Sequence, residues 1–494
     1  MSETSSPSTS DDASSEPVNV IIIGAGIAGL AAAQRLLGAE NKAEKINVTI
    51  LEASSRAGGR IHSVPFGNGI SEQGATWIHG IEGNPVYEFM QEKNIEKPTL
   101  TKSTHLSTKR HYCYTDGQTL PRNLVKKVGG LYYDALRQSG QFNQSEEEVD
   151  CSKSIGEYLE EKFDRFAEED VLADILRYFV NVGCNYNACD TLHDLMLRDE
   201  GEYIELEGYH PIFPQGYSQV IDTFLEKLPT DCVVYNSPVK CIHWNRDDGQ
   251  ENTGINGPLA TGAVKVECTD GRTFPSDYII VTVSLGVLKE NQRTMFNPQL
   301  PKEKQRAIER MGFGTVATIS LEYETQFWTT YSKNCINLVW RDKMEYAVKK
   351  NPSQEWFRKL NTFYQSQHSP NVLVAWLSGN EARQMETLPE EEIIQKCTDI
   401  LQNIFSDCSI PKPKSMLRTQ WYTNPHFRGS YSYMSVGSEG ADIDILAEPI
   451  TANGRPVILF AGEATHRYFY STTHGAMLSG QREADSILKN LGSQ

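Results

Sequence analysis

The sequence contains no Cys-x-x-Cys pair, and its ten cysteines lack the Cys/His spacing of a zinc site. Cys184 and Cys189 lie close together, but no neighbouring ligand completes a set, so no metal site is expected. Unclustered thiols of this kind suit a reducing compartment. Positive charge is also scarce: 47 Lys and Arg stand against 64 Asp and Glu, a formal net charge of -17. That balance excludes general binding to nucleic-acid phosphates or anionic membranes and is compatible with a cationic ligand. No apolar run reaches the ~20 residues that a bilayer span needs. The longest, Val18 to Ala33, follows an acidic stretch and is interrupted by glycines, so it reads as a buried strand and helix. There is no internal repeat. The final Leu-Gly-Ser-Gln does not match the Ser-Lys-Leu peroxisomal address. A cytoplasmic protein is expected, with nucleus and peroxisome as alternatives. Residues 1–16, rich in Ser, Thr, Asp and Glu, are expected to form a disordered tail. A chain of 494 residues is too long for one simple core and implies two or three folding units.

What is present begins at Val18. The β-branched run Val18 to Ile23 has the character of a parallel strand buried on both faces. It leads into Gly24-Ala-Gly26-Ile-Ala-Gly29 and then a helix-forming stretch, Leu30 to Leu37. In such a turn Gly24 permits the bend, Gly26 lets backbone approach a pyrophosphate, and Gly29 lets helix pack on strand. The helix N-terminus directs free N–H groups and its positive dipole end at the phosphates. A second strand, Val48 to Leu51, ends in Glu52, placed to accept hydrogen bonds from ribose hydroxyls. The segment after it, Arg56-Ala-Gly58-Gly59-Arg60, is a second glycine motif, found in FAD enzymes and not in simple NAD sites. Arg60 is suited to fork onto phosphate oxygens. The competing reading of Arg56 and Arg60 is of surface charges beside a turn.

The C-terminal segment Leu459-Phe-Ala-Gly462-Glu463-Ala-Thr465-His466 continues through Tyr470-Ser471-Thr472-Thr473-His474-Gly475. Together with Gly74-Ala75-Thr76-Trp77-Ile-His79-Gly80 and Phe427-Arg-Gly-Ser430-Tyr431, it closely resembles the flavin amine oxidases, and within them the animal polyamine oxidases. The resemblance runs from Val18 to Leu488. It implies an α/β fold, with a Rossmann-type FAD-binding domain interleaved with an α+β substrate-binding domain. The FAD part would comprise 17–95, 211–300 and 415–494, and the substrate part 96–210 and 301–414. Helices over Ser154 to Arg177 and Pro389 to Ser406 would cover the second sheet, and Arg246 to Gly262 would be a surface loop.

The resemblance also implies a site. Gly74, Ala75, Thr76, Trp77, Val239, Trp421, Gly462, Glu463, Ser471 and Thr472 would contact FAD, Val239 through its backbone at the adenine. Trp376 and Tyr431 would wall the approach to the flavin, His79 would position the amine, and Ser471 and Thr472 would also border the substrate. Glu205, and secondarily Glu202, would face a distal ammonium, which leans towards free spermine. Ser430 stands where membrane-bound relatives carry a flavin-linked cysteine, so FAD would be non-covalent. The implied partners are a cationic polyamine and oxygen, and the implied reaction is oxidation to an imine with release of hydrogen peroxide. One position departs from the family. After Gly312-Phe-Gly-Thr315, the strand carries Thr318 where the family has a lysine water-bridged to the flavin. Threonine holds a water but brings no charge. A weakly active FAD- and polyamine-binding sensor is therefore a second reading. A histone lysine demethylase is a third, disfavoured because the chain has no long helical insertion.

Overall fold

The computed structural model describes residues 17–39, 46–93, 110–140, 152–197, 202–244, 264–331, 334–341, 355–452 and 454–492. The expected tail and the expected loop over Arg246 to Gly262 lie outside the described residues.

The first sheet is built on Val18–Ile23. Its order is Ile450–Ala452, Arg455–Phe460, Tyr278–Val281, Val18–Ile23, Ile46–Leu51 and Val233–Val234. Every pairing is parallel except the hairpin at the first edge. Side chains alternate across a strand, and here the alternation feeds two cores. Val20 and Ile22 pack on the face of the helix Ile27–Leu37, whereas Ile21 and Ile23 pack against Leu285 and Ile443 on the other. That is why the run is apolar without a break.

The second sheet is mostly antiparallel, in the order Ser415–Arg418, Val316–Glu322, Val372–Ser378, Thr362–Gln365, Cys335–Val339 and His111–Tyr114. Its alternation separates core from cavity. Ala317, Ile319, Leu321, Leu373, Ala375 and Leu377 are fully buried beneath the helix Glu390–Ile404. Thr318, Ser320, Val374 and Trp376, at the positions between, line a cavity. A one-residue slip in register would exchange the two sets. Ser415–Arg418 thus belongs with the second sheet, although the sequence division placed residues from 415 onward with the first.

The helix expected over Ser154 to Arg177 is two helices, Ile155–Phe163 and Asp170–Asn187, separated by a 3-10 turn over Asp164–Glu168. Ser154 and Glu157 form a reciprocal capping box that starts the first. Glu169, in extended conformation, starts the second. The second helix runs to Asn187, which delivers Asn185 and Tyr186 to the cavity wall.

Candidate active site

Both sheets contribute to one cavity of about 1770 Å³. That exceeds the ~300–1,000 Å³ of a single small-molecule site, leaving room for a cofactor and a substrate together.

The dinucleotide end follows from three glycines in three different situations. Gly24 has φ of +108°, and a Cβ there would lie 2.6 Å from Thr282 Oγ1. A Cβ on Gly29 would lie 2.0 Å from the Gly24 carbonyl oxygen, so strand and helix meet backbone to backbone. At Gly26 a Cβ would meet nothing within 4 Å. Gly26 faces the cavity at the start of Ile27–Leu37, whose first turn has no side-chain cap. Uncapped N–H groups beside open space are what a pyrophosphate requires. Gly59, with φ of +58°, lies across from Gly26 and also lines the cavity. Glu52 is buried; it accepts from Ala25 N at 2.8 Å and Ser54 N at 2.7 Å, and still borders the cavity. Val239 lines the same end. These residues fit an adenine dinucleotide.

Arg60 and Glu463 join segments that are far apart in sequence. Arg60 Nη1 donates to Glu463 Oε1 at 2.8 Å and to the Ser430 carbonyl at 2.9 Å. The other Glu463 oxygen accepts from Ser432 Oγ at 2.6 Å and Ser471 N at 2.9 Å. Ser471 is held at φ of +64°, and Thr472 caps the helix Thr473–Gly492 by accepting from Gly475 N at 3.0 Å. Gly462, Glu463, Ser471 and Thr472 all face the cavity. Trp421, buried, donates from Nε1 to the Gln73 carbonyl at 3.1 Å, beside the cavity-lining Gly74, Ala75 and Thr76. Ser430 Oγ is occupied with the Val316 backbone, donating at 2.9 Å and accepting at 2.9 Å.

Two expected residues do otherwise. Arg56 does not line the cavity; its guanidinium donates to the carbonyls of Ala57 (3.0 Å), Gly59 (2.8 Å) and Ile61 (3.3 Å) and so braces its own loop. Glu202 receives a forked pair of bonds from Arg467 at 2.9 and 3.0 Å and does not face the cavity. A carboxylate neutralised in this way is a poor partner for a second cation.

The substrate end is aromatic. Trp77 and Trp376 have ring centroids 5.6 Å apart. Trp376 Nε1 donates to Tyr364 Oη at 2.9 Å, and Tyr431 Oη donates to the Asn185 and Tyr186 carbonyls at 3.0 and 3.1 Å. Such anchors fix ring orientation. Thr318 pairs across the strands with Trp376, and its hydroxyl is buried without a hydrogen-bond partner in the protein. Thr318 lines the cavity, and an orphaned buried hydroxyl calls for a water or a ligand atom. Lys240, at the dinucleotide end, is the only lysine among the described cavity-lining residues. Among the described cavity-lining residues, no other lysine stands in for the one that the resemblance implies at Thr318.

The sequence reading missed His210, Tyr364 and Arg110, because no local motif marks them. His210 Nδ1 accepts from Gly80 N at 2.9 Å, which leaves the proton on Nε2, 3.4 Å from Glu205 Oε1. Glu205 is largely exposed at the cavity mouth. The His79 ring lies edge-on to His210, 5.7 Å between centroids. His79 is exposed by accessible surface and also lines the cavity. Burial, with His210 adding to it, lowers its pKa to about 4, so it is neutral at physiological pH. Burial likewise lowers His466 to about 4 and His474 to about 3. The sign follows: below pH 6.5 the unfolded chain binds protons that the folded chain refuses, so stability falls as the pH drops towards 4. For the fully buried His474 this is on the order of 2 kcal/mol between pH 6.5 and 5. The thermal midpoint should fall from pH 7 to pH 5, and fall less in His474→Phe, which also removes a ring nitrogen that has no partner.

The nine described cysteines are free thiols, and no cluster that would hold a metal occurs among the described residues. Among those residues, no helix is long and apolar enough to cross a membrane.

Comparison with known proteins agrees with this geometry. Residues 27–488 match the family described as flavin containing amine oxidoreductase. The peroxisomal N(1)-acetyl-spermine/spermidine oxidases of Homo sapiens and Bos taurus are 40% and 38% identical, each comparison covering 95% of this chain and 94% of the relative. Polyamine oxidase 1 of Oryza sativa subsp. japonica is 31% identical, covering 95% of this chain and 97% of that protein. Lysine-specific histone demethylase 2 of Homo sapiens is 29% identical, but this chain spans 53% of its length. The chain belongs to the flavin-containing amine oxidoreductases, and it is an FAD-dependent enzyme.

Proposed function

We propose that this enzyme oxidises a polyamine, spermine or a relative, at a carbon beside a secondary amine. The products are an aminoaldehyde, a smaller amine and hydrogen peroxide: the amine loses two electrons and two protons to oxygen, and water hydrolyses the imine. The observation that carries the reading is continuity. One cavity joins the glycine cradle to an aromatic passage between Trp77, Trp376 and Tyr431, with the Glu205 carboxylate at its mouth. The relatives' names support it.

FAD, when bound, supplies the two-electron redox chemistry. The chain's residues do the rest. Trp376 and Tyr431 enclose the methylene chain and exclude water, which favours the neutral amine that reacts. His79, kept neutral by burial, accepts or donates one hydrogen bond without repelling a cation. Glu205 attracts an ammonium at the mouth, and Thr318 holds a water opposite Trp376. FAD is retained without a covalent link, since Ser430 provides no thiol. We propose further that the two sheets form two interleaved domains, and that the protein acts in a reducing compartment, the cytoplasm, in keeping with its free thiols.

Anaerobic mixing with spermine, followed by admission of air, tests this. The flavin absorbance near ~450 nm should bleach and then recover, with peroxide formed in proportion. A spectral shift without bleaching would leave a binding protein and remove the oxidase.

A further inference from the structure

Cys184 and Cys189 stand close in the sequence, yet neither the cofactor cradle nor the aromatic passage uses them. The fold makes them a pair. The helix Asp170–Asn187 ends on Ala188, held left-handed at φ of +56°, whose N–H returns to the Asn185 carbonyl at 3.4 Å. An ending of this kind turns the second residue past the helix back over its last turn. Here that residue is Cys189, and it meets Cys184. Cys189 Sγ lies 4.0 Å from the Cys184 carbonyl oxygen, and the two side chains hydrogen-bond. Both are free thiols and fully buried. The residues between them that line the cavity, Asn185, Tyr186 and Asn187, leave one turn of chain between the pair and that space.

The surroundings divide the labour. Hydrogen bonding from Cys189 lowers the pKa of Cys184 against the effect of burial; the Lys359 ammonium assists, and the carboxylates of Asp194 and Glu381 oppose. Lys359 Nζ is fixed there by donating to the Asp190 carbonyl at 2.9 Å. Burial raises Cys189. One thiol is thus set to attack and the other to resolve.

The turn is also wedged against the site. Its Asn185 and Tyr186 carbonyls accept from Tyr431 Oη at 3.0 and 3.1 Å, and its Ala188 carbonyl accepts from Thr315 N at 2.9 Å. A Cβ on Gly314 would fall 2.0 Å from the Ala188 oxygen, so the turn meets the segment leading to Thr318 backbone to backbone. A disulfide holds its sulfurs at ~2.05 Å, closer than two thiols approach, so forming one tightens this turn.

We infer that Cys184 and Cys189 form an oxidative modification site, closed to a disulfide by hydrogen peroxide, and that closure slows amine oxidation through the turn that anchors Tyr431. The enzyme as source of the peroxide rests on the oxidase reading above; the dithiol does not. The Cys184 thiolate attacks peroxide, the O–O bond breaks, and hydroxide leaves and takes up a proton as water. Cys189 then attacks the Cys184 sulfenic acid; the S–S bond forms, the S–O bond breaks, and the second water carries away the Cys189 proton. Two electrons pass from the two sulfurs to peroxide.

The test treats reduced, FAD-loaded enzyme with hydrogen peroxide, removes the excess, and maps the thiols by alkylation and mass spectrometry. The peptide bearing Cys184 and Cys189 should lose two hydrogen atoms and escape alkylation, while Cys397, equally buried but unpaired, should still be alkylated after denaturation. Anaerobic bleaching of the flavin by spermine should then be about tenfold slower, within the ~10²-fold that a 1 Å misplacement costs. Dithiothreitol should restore it. Cys184→Ala and Cys189→Ala should each bleach at the untreated wild-type rate before and after peroxide; should either not fold, the wild-type map and its reversal by dithiothreitol carry the test. A bridge that does not form, or that forms without slowing the bleaching, overturns the inference and leaves the oxidase intact. If spermine never bleaches the flavin, the oxidase reading fails, and the thiol map with calorimetric spermine binding still decides the role of the pair.

Discussion

Gly29→Ala is expected to give a colourless protein. The added Cβ would fall 2.0 Å from the Gly24 carbonyl oxygen, and the obstacle is backbone, so the whole strand–turn–helix unit must move apart. FAD affinity should drop at least ~100-fold, about 2.7 kcal/mol, and the ratio of flavin to protein absorbance after purification should approach zero. Gly26→Ala provides the contrast. Its Cβ would meet no atom within 4 Å, and its φ of -74° is ordinary for any residue. The apoprotein should therefore unfold within about 1 kcal/mol of the wild type, since only an N-cap preference is lost. FAD binding should nonetheless weaken, because the methyl enters the space that a pyrophosphate takes. If Gly26→Ala binds FAD as well as the wild type, the cofactor's phosphates lie elsewhere and this account of the cradle is wrong.

Thr318→Lys is expected to accelerate the reaction with oxygen. Reduction of oxygen develops negative charge, and the described cavity wall has no cation beside Thr318 to stabilise it. A preorganised charge at such a point is worth ~10²-fold in rate. Thr318 lines the cavity and its buried hydroxyl has no protein partner, so a longer side chain at this position displaces no existing hydrogen bond. Rapid mixing of the reduced enzyme with oxygen reads this step separately from amine oxidation. Thr318→Val should slow the same step, since a methyl cannot hold the water. Oxygen rates unaffected by both substitutions would mean that this position has no part in the oxygen reaction.

The sequence made the dinucleotide unit legible because its determinants are local. Val18–Ile23, the glycine turn and Ile27–Leu37 are contiguous, and the closest approach, that of Gly29 to the Gly24 carbonyl, lies within the turn itself. The start of the closing helix at Thr473 was legible for the same reason. The break at Asp164–Glu168 was not, since the helical pattern of charges and apolar residues continues through it.

Long charged side chains were least legible. Arg56, Arg60 and Arg110 look alike in sequence, yet one braces its loop, one pairs with a carboxylate 403 positions away, and one has no acidic partner among the described residues. Glu202 and Glu205 sit three apart, but Arg467, 265 positions away from Glu202, takes the first and leaves the second at the cavity mouth. By itself the sequence determined the cofactor class, the strand and helix at its phosphates and the substitution at Thr318, all of which depend on residue type and near neighbours. Only the tertiary structure decided which charges remain available to a ligand. An ionised side chain takes the nearest opposite charge or carbonyl in space, and strand pairing sets that distance irrespective of separation along the chain.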